Sequence, residues 1–146
     1  LIQIEVTETT SRANNFLAET IVEQLGKKGL KVLMDDFGMG YSNIGNFIKM
    51  KFHIIKIDKS YIDKIDDDPK TRELLKFLIN LCKINELEVI AEGVDSKEQV
   101  SLLEKMNCDV IQGYYYSKPL PLKEMDKFIA ENEFEKKGDK AKWFWL

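Results

Sequence analysis

The sequence is poor in the residues that build zinc sites and disulfide frameworks. It contains one histidine and two cysteines among its 146 residues. Cys82 and Cys108 stand alone, with neither a CxxC pair nor a Cys/His cluster around them, which argues against a zinc site. We expect both thiols to be reduced and packed in the interior of a cytosolic protein.

The sequence also lacks an excess of charge of one sign and a long apolar run. Its 22 Lys and Arg residues against 25 Asp and Glu residues give a net charge of −3, which argues against a nucleic-acid binder that depends on a strongly basic face. No apolar run approaches the roughly 20 residues that cross a bilayer, and no signal peptide opens the chain. We therefore expect a cytoplasmic domain without a nucleic-acid partner, and any membrane anchor would lie outside this segment.

With 44% hydrophobic residues, the chain can bury one core. It opens on Leu1 rather than Met, and LIQIEVTET already has the pattern of a strand. This suggests a segment of a longer protein. Residues 1–132 are predicted to form the folded domain, and residues 133–146 are predicted to be a charged tail because they are charged and aperiodic.

Hydrophobic periodicity predicts strands and helices in strict alternation. After the first strand come strands at Lys31–Phe37, His53–Asp58, Leu87–Val94 and Val110–Tyr115. The predicted helices are Ser11–Lys28, Asn43–Met50, one that begins at Pro69 after an Asp68 cap, one capped by Ser96 with Gln99, and one that begins at Pro121. Five βα units in this order require a parallel sheet with crossover helices.

Polar residues fall at or near the carboxyl ends of all five predicted strands. They are Glu5, Asp35, Asp36, Lys56, Glu92 and Gln112. In parallel α/β folds this rim is where catalytic groups from separate strands converge. Carboxylates suit hard cations such as Mg²⁺ and Mn²⁺, and the adjacent Asp35 and Asp36 can serve two ions. Lys56 would position a water or stabilise developing negative charge.

Other interpretations of single motifs are weaker. Asp35-Asp36 taken alone is compatible with a solvated turn, and Lys56 alone with a surface lysine. The triplet Asp36-Phe37-Gly38 also occurs in protein kinases, but no kinase catalytic loop accompanies it. A phospho-receiver also has an acidic pair and a lysine at strand ends, but it needs a further Asp on an intervening strand, and none lies between Asp36 and Lys56. His53 has no partner pattern for catalysis, and the three tyrosines at 114–116 are predicted to alternate across a strand.

Five motifs in this order and spacing resemble the EAL-domain family. They are IEVTET, DDFGMGYSN, IKID, AEGVD and IQGYYYSKP, spread over residues 1 to 119. The resemblance implies a bacterial phosphodiesterase that linearises cyclic di-GMP to pGpG with two Mg²⁺ or Mn²⁺ ions. It implies an α/β fold, a TIM-type (β/α) barrel with one reversed strand, of which this chain holds about five βα units and lacks the N-terminal strands.

The resemblance also implies roles for individual residues. Glu5, Asp35, Asp36 and Glu92 look like metal ligands, and Glu8 resembles the glutamate that shapes the loop after DDFG. Lys56 resembles the lysine that holds the attacking water, and Glu92 and Gln112 join it as catalytic residues. Asp36, Gly38, Tyr115 and Pro119 are the positions expected to contact cyclic di-GMP.

The chain departs from the family in what it lacks. The EAL signature itself, with its metal-binding glutamate and nearby arginine, is absent, as is the asparagine ligand of an earlier strand. A (β/α)₈ barrel takes roughly 250 residues, so we expect an incomplete metal site and an inactive isolated chain. The alternative is an EAL-like module that binds cyclic di-GMP or a protein partner without hydrolysis.

Two further partners are expected. An open half-barrel exposes strand edges and an apolar interior face, so we predict a homo-oligomer. A GGDEF or sensory domain is the expected neighbour upstream.

Overall fold

The computed structural model describes residues 2–7, 15–38 and 49–131 of the chain. Its strands are β1 (Gln3–Thr7), β2 (Lys31–Phe37), β3 (Ile54–Ile57), β4 (Glu88–Glu92) and β5 (Val110–Gln112). Its helices are α1 (Asn15–Lys27), α2 (Lys59–Ile62), α3 (Pro69–Ile84), α4 (Lys97–Lys105) and α5 (Leu122–Glu131). Glu8, most of the helix predicted at Asn43–Met50 and the tail at 133–146 lie outside the described residues.

The five strands form one parallel sheet in the order β1-β2-β3-β4-β5. Each strand therefore lies beside the next strand along the chain, which is the strand order of a (β/α) barrel. The predicted parallel sheet is confirmed, and β2 has the predicted bounds. No helix in the described part of the chain is long and apolar enough to cross a membrane.

Local capping signals fix the helix starts. Asp68 accepts a hydrogen bond from Lys70 N–H at the start of α3, where Pro69 occupies the first turn. Ser96 and Gln99 form the predicted capping box of α4. The short α2, which the sequence pattern did not predict, begins at an Asp58 cap that accepts from Ser60 N–H over 2.9 Å.

The main core lies between one face of the sheet and the helices. The strands contribute alternate apolar side chains, and the helices contribute the positions that point inward. The fully buried members include Val22, Val32, Ile55, Ile57, Ile62, Leu75, Ile79, Val89, Ala91 and Leu103. This burial is the principal stabilising term of the fold.

The opposite face of the sheet carries a small apolar cluster of Leu33, Ile54, Ile90 and Val110, one residue from each of β2 to β5. All four are at most 5% exposed. We expected the open interior face of a partial barrel to leave such residues accessible, and for these four that expectation is wrong. Side chains two positions further along each strand point to the same face, one layer nearer the carboxyl ends.

Several predicted elements differ in detail. β3 and β4 are each shorter than predicted at both ends. β5 ends at Gln112, and Tyr114, Tyr115 and Tyr116 lie in a turn rather than alternating across a strand. On α1 the apolar side chains are only partly buried: Val22 is buried, but Phe16 is 83% exposed. Helical periodicity identifies the apolar face of a helix, but it does not establish which neighbour covers each turn.

Candidate functional site

Four charged side chains from β1 to β4 meet near Lys56 Nζ, and we refer to them as the rim cluster. They are Glu5, Asp35, Lys56 and Glu92. Glu92 is the last residue of β4, whereas Glu5 is the middle residue of β1. Lys56 Nζ lies 3.3 Å from Asp35 Oδ1, 3.3 Å from Glu92 Oε2 and 3.9 Å from Glu5 Oε1. Each residue comes from a different strand, so the parallel sheet itself brings them together.

The cation of this cluster is its most buried member. The Lys56 side chain is 8% exposed, whereas those of Asp35, Glu92 and Glu5 are 19%, 35% and 42% exposed. Burial by itself lowers the pKa of Lys56, but the negative charges of Glu92, Asp35 and Glu5 outweigh it and the pKa is raised above its ordinary value. Lys56 is therefore an ammonium at neutral pH, which suits a hydrogen-bond donor and not a general base.

A β-bulge presents the aspartate pair. Met34 pairs with Ile55 and Phe37 pairs with Ile57, so Asp35 and Asp36 together face the single residue Lys56. Asp36 has a φ of 56°, a left-handed conformation that is uncommon outside glycine. Its N–H donates to Asp35 Oδ1 over 3.0 Å. The bulge therefore places two acidic residues side by side opposite Lys56, where a regular strand would place only one.

Of the other predicted site residues, those that the structure describes lie on β5 or in the segments that follow β2 and β5. Gln112 pairs with Glu92 in the β4–β5 register and is half-buried. Gly38 directly follows β2. Tyr115 donates its N–H to Val94 O over 3.0 Å, and its ring packs edge-on against Tyr116 with 4.9 Å between the centroids. Pro119 is exposed in the segment before α5, and Glu8 lies outside the described residues.

The chemistry of the rim cluster fits a hard divalent cation. Its donors are carboxylate oxygens, and one ammonium group stands against the three carboxylates of the cluster. Oxygen donors with excess negative charge are the ligand type that Mg²⁺ and Mn²⁺ take. Within residues 2–7, 15–38 and 49–131, however, no three acidic, histidine or cysteine side chains already form a metal-binding group.

Two residues near the site were not predicted from the sequence. Lys59 and Tyr61 on α2 each donate a hydrogen bond to the carbonyl oxygen of a glycine beside the rim cluster, Gly93 and Gly38 respectively. The Asp58-Lys59-Ser60 stretch could have predicted the start of α2, since an aspartate directly after a strand is a common helix cap. A helix of four residues is too short to show periodicity.

Comparison with known proteins gives consistent matches. The profile of the EAL domain matches residues 1–119. The cyclic di-GMP phosphodiesterase NbdA of Pseudomonas aeruginosa is 31% identical over 134 residues, which are 92% of this chain and 17% of NbdA. The chain spans only 16–17% of the length of curated relatives such as NbdA.

Solved structures agree on the fold. The cGMP-bound form of the EAL enzyme Bd1971 superposes with a TM-score of 0.83 and 34% identity, over 88% of this chain and 34% of that one. The PaMucR phosphodiesterase in complex with c-di-GMP superposes with a TM-score of 0.78 and 29% identity, over 83% of this chain and 49% of that one. The chain therefore corresponds to between a third and a half of these two structures.

Proposed function

Because this chain belongs to the EAL domain family of cyclic di-GMP phosphodiesterases, we propose that it is the later half of a complete EAL barrel that hydrolyses cyclic di-GMP to linear pGpG. The observation that carries the proposal is the rim cluster, in which Lys56 lies within 3.9 Å of carboxylates from three other strands. The c-di-GMP complex of PaMucR supports the choice of ligand.

The acidic residues are assigned to metal binding. Glu5, Asp35, Asp36 and Glu92 would hold Mg²⁺ or Mn²⁺, two ions in the complete domain. Such ions supply an activated water and neutralise charge on the phosphodiester. The bulge supports this assignment because it presents two carboxylates from one strand end, and strand bulges are frequent next to active sites.

The remaining residues are assigned to the water and the substrate. Lys56, as an ammonium, donates a hydrogen bond to the attacking water, and Gln112 lies in register beside Glu92 to hold the same water. The water oxygen bonds to phosphorus while the bond to the 3′ oxygen breaks. The water gives up one proton and the 3′ oxygen gains one, so that pGpG is left with a 5′ phosphate and a 3′ hydroxyl. Asp36, Gly38, Tyr115 and Pro119 are assigned to cyclic di-GMP itself, with the ring of Tyr115 suited to stack on a guanine.

The 146-residue chain lacks the EAL signature and part of the ligand set. We therefore expect it to be inactive by itself. The proposal places a GGDEF or sensory domain upstream as the source of regulation, and a second copy of the protein as partner.

The test is hydrolysis of cyclic di-GMP with Mn²⁺ by this chain and by a longer form that includes a preceding EAL segment. Products are separated by chromatography, and Glu92→Gln in the longer form is the inactive control. Conversion to pGpG by the longer form alone supports the proposal. Binding without turnover in the longer form would overturn it and favour a receptor.

A further inference from the structure

The short helix α2 contacts the chain directly after two of the acid-bearing strands. Tyr61 Oη donates to Gly38 O over 2.8 Å, and Gly38 follows the strand that carries Asp35 and Asp36. Lys59 Nζ donates to Gly93 O over 3.2 Å, and Gly93 follows Glu92. Helix α2 itself begins two residues after the end of β3, the strand of Lys56.

Both glycines are in positions that exclude a side chain. Their φ values are +100° at Gly38 and +78° at Gly93, in the region that favours glycine. A Cβ at Gly38 would lie 2.6 Å from Tyr61 Cε2, and a Cβ at Gly93 would lie 2.5 Å from Lys59 Cγ. The α2 side chains therefore pack directly on the glycine backbones as well as bonding to their carbonyls.

Helix α2 is held in place by burial, by a hydrogen bond and by ion pairs. Ile62 is fully buried, and its carbonyl accepts a hydrogen bond from Gln99 Nε2 of α4 over 3.3 Å. Lys59 is further held by Asp63 at 2.8 Å and Asp95 at 3.6 Å. A movement of either glycine turn thus has to break contacts with an element that is anchored in the core.

We propose that Lys59 and Tyr61 are positioning residues of the site, and we name this arrangement with Gly38 and Gly93 the glycine clamp. It ties the strand ends that carry the aspartate pair and Glu92 to the strand of Lys56, and so sets the spacing of the carboxylates. The consequence for metal binding rests on the proposed function. Outer contacts that orient metal ligands typically change affinity by roughly 10–100-fold when removed.

The test uses the isotope-labelled 146-residue chain and four single variants, of which Lys59→Arg serves to rescue Lys59→Met. Tyr61→Phe removes only the hydroxyl, Lys59→Met removes only the ammonium group, and Lys64→Met is a matched control because Lys64 is an exposed lysine of the same region. NMR shifts of Gly38, Gly93 and the side-chain carboxyl carbons of Asp35 and Glu92 report geometry. Electron paramagnetic resonance measures free Mn²⁺ in a titration and so gives the affinity of each variant for the ion.

We expect Tyr61→Phe to shift the Gly38 and Asp35 signals and Lys59→Met to shift those of Gly93 and Glu92, each with about tenfold weaker Mn²⁺ binding. Lys59→Arg, which keeps a donor, should retain the NMR shifts and Mn²⁺ affinity of the unaltered chain. Lys64→Met should change neither. Shifts confined to the glycines, or wild-type Mn²⁺ affinity in both variants, would overturn the clamp. If the unaltered chain and its longer form bind no Mn²⁺ while the carboxyl shifts still occur, the clamp stands and the proposed function fails.

Discussion

The ammonium nitrogen of Lys56 lies 3.3 Å from Asp35 Oδ1, the oxygen that also accepts the N–H of Asp36 over 3.0 Å. One carboxylate oxygen thus connects the buried lysine to the bulge that presents the aspartate pair. Among the described residues, Lys56 is the only cation within 4 Å of the carboxylates of Glu5, Asp35 and Glu92. Its removal should affect both stability and chemistry.

Lys56→Met keeps an unbranched apolar side chain but removes the charge. We expect the free energy of unfolding to fall by about 1–2 kcal/mol, less than for a fully buried pair because the carboxylates are partly exposed. Hydrolysis by the complete barrel should fall by about 100-fold or more, since the donor to the water is lost. Urea unfolding and the cyclic di-GMP assay measure the two effects.

Mn²⁺ provides the control for Lys56→Met. A divalent ion supplies positive charge to the same carboxylates, so saturating Mn²⁺ should stabilise the variant more than the unaltered chain. A variant that is as stable as the parent without metal would show that the carboxylates do not need the lysine.

Asp36→Asn should remove a ligand while keeping the bulge. Asparagine tolerates the left-handed backbone that Asp36 adopts at φ 56°. We therefore expect an unchanged urea midpoint, and turnover in the complete barrel that is lower by about 100-fold or more. Asp67→Asn, at an exposed position outside the rim, is the matched control, and turnover retained by Asp36→Asn would refute the metal-ligand role.

Local signals made much of the fold predictable. The strand Lys31–Phe37 and the caps at Asp68 and Ser96 formed as the sequence indicated, because each depends on residues only a few positions apart. The convergence of Lys56 with Glu92 followed from the parallel topology, since carboxyl ends of adjacent strands share one edge of the sheet.

Features that depend on distant contacts were not predictable. The bulge at Asp35-Asp36 is visible only in the register against β3, and nothing in the sequence marks its left-handed residue. The contact of Tyr61 with Gly38 joins residues 23 positions apart. The burial of Lys56 depends on every strand around it, which is why a lysine pattern alone indicated only a possible surface residue.

The two cysteines should be inert in the folded chain. Burial raises the pKa of Cys82 to about 11 and that of Cys108 to about 12, from an ordinary value of 9.0. Both thiols therefore stay protonated at about pH 8, where the reactive thiolate is scarce. We expect no alkylation by iodoacetamide in native buffer and two modified thiols in urea, measured by mass spectrometry.

The same shifts give a pH dependence. The folded-state pKa values lie above the unfolded one, so their contribution to stability is complete below pH 9 and is lost as pH rises toward 11 to 12. Cys108→Ala should lose part of this alkaline sensitivity. A native chain that is alkylated at one thiol in neutral buffer would contradict the burial of that thiol.

Self-association of the isolated chain is the last prediction. β1 is an edge strand of the described sheet, and on α1 Phe16, Leu17 and Ile21 are 83%, 53% and 45% exposed. An unpaired strand edge and exposed apolar side chains each favour association with another chain. We expect light scattering to show a mass that grows with protein concentration, and Phe16→Lys to reduce it.

Phe77→Lys tests whether association depends on α1 or on exposed apolar residues in general. Phe77 is 55% exposed but lies on α3 rather than on α1, so its substitution should leave the association unchanged. Equal effects of both variants would point to non-specific aggregation. A clean monomer at high concentration would mean that the β1 edge and α1 do not associate, and the homo-oligomer would then have to form through surfaces of the complete barrel.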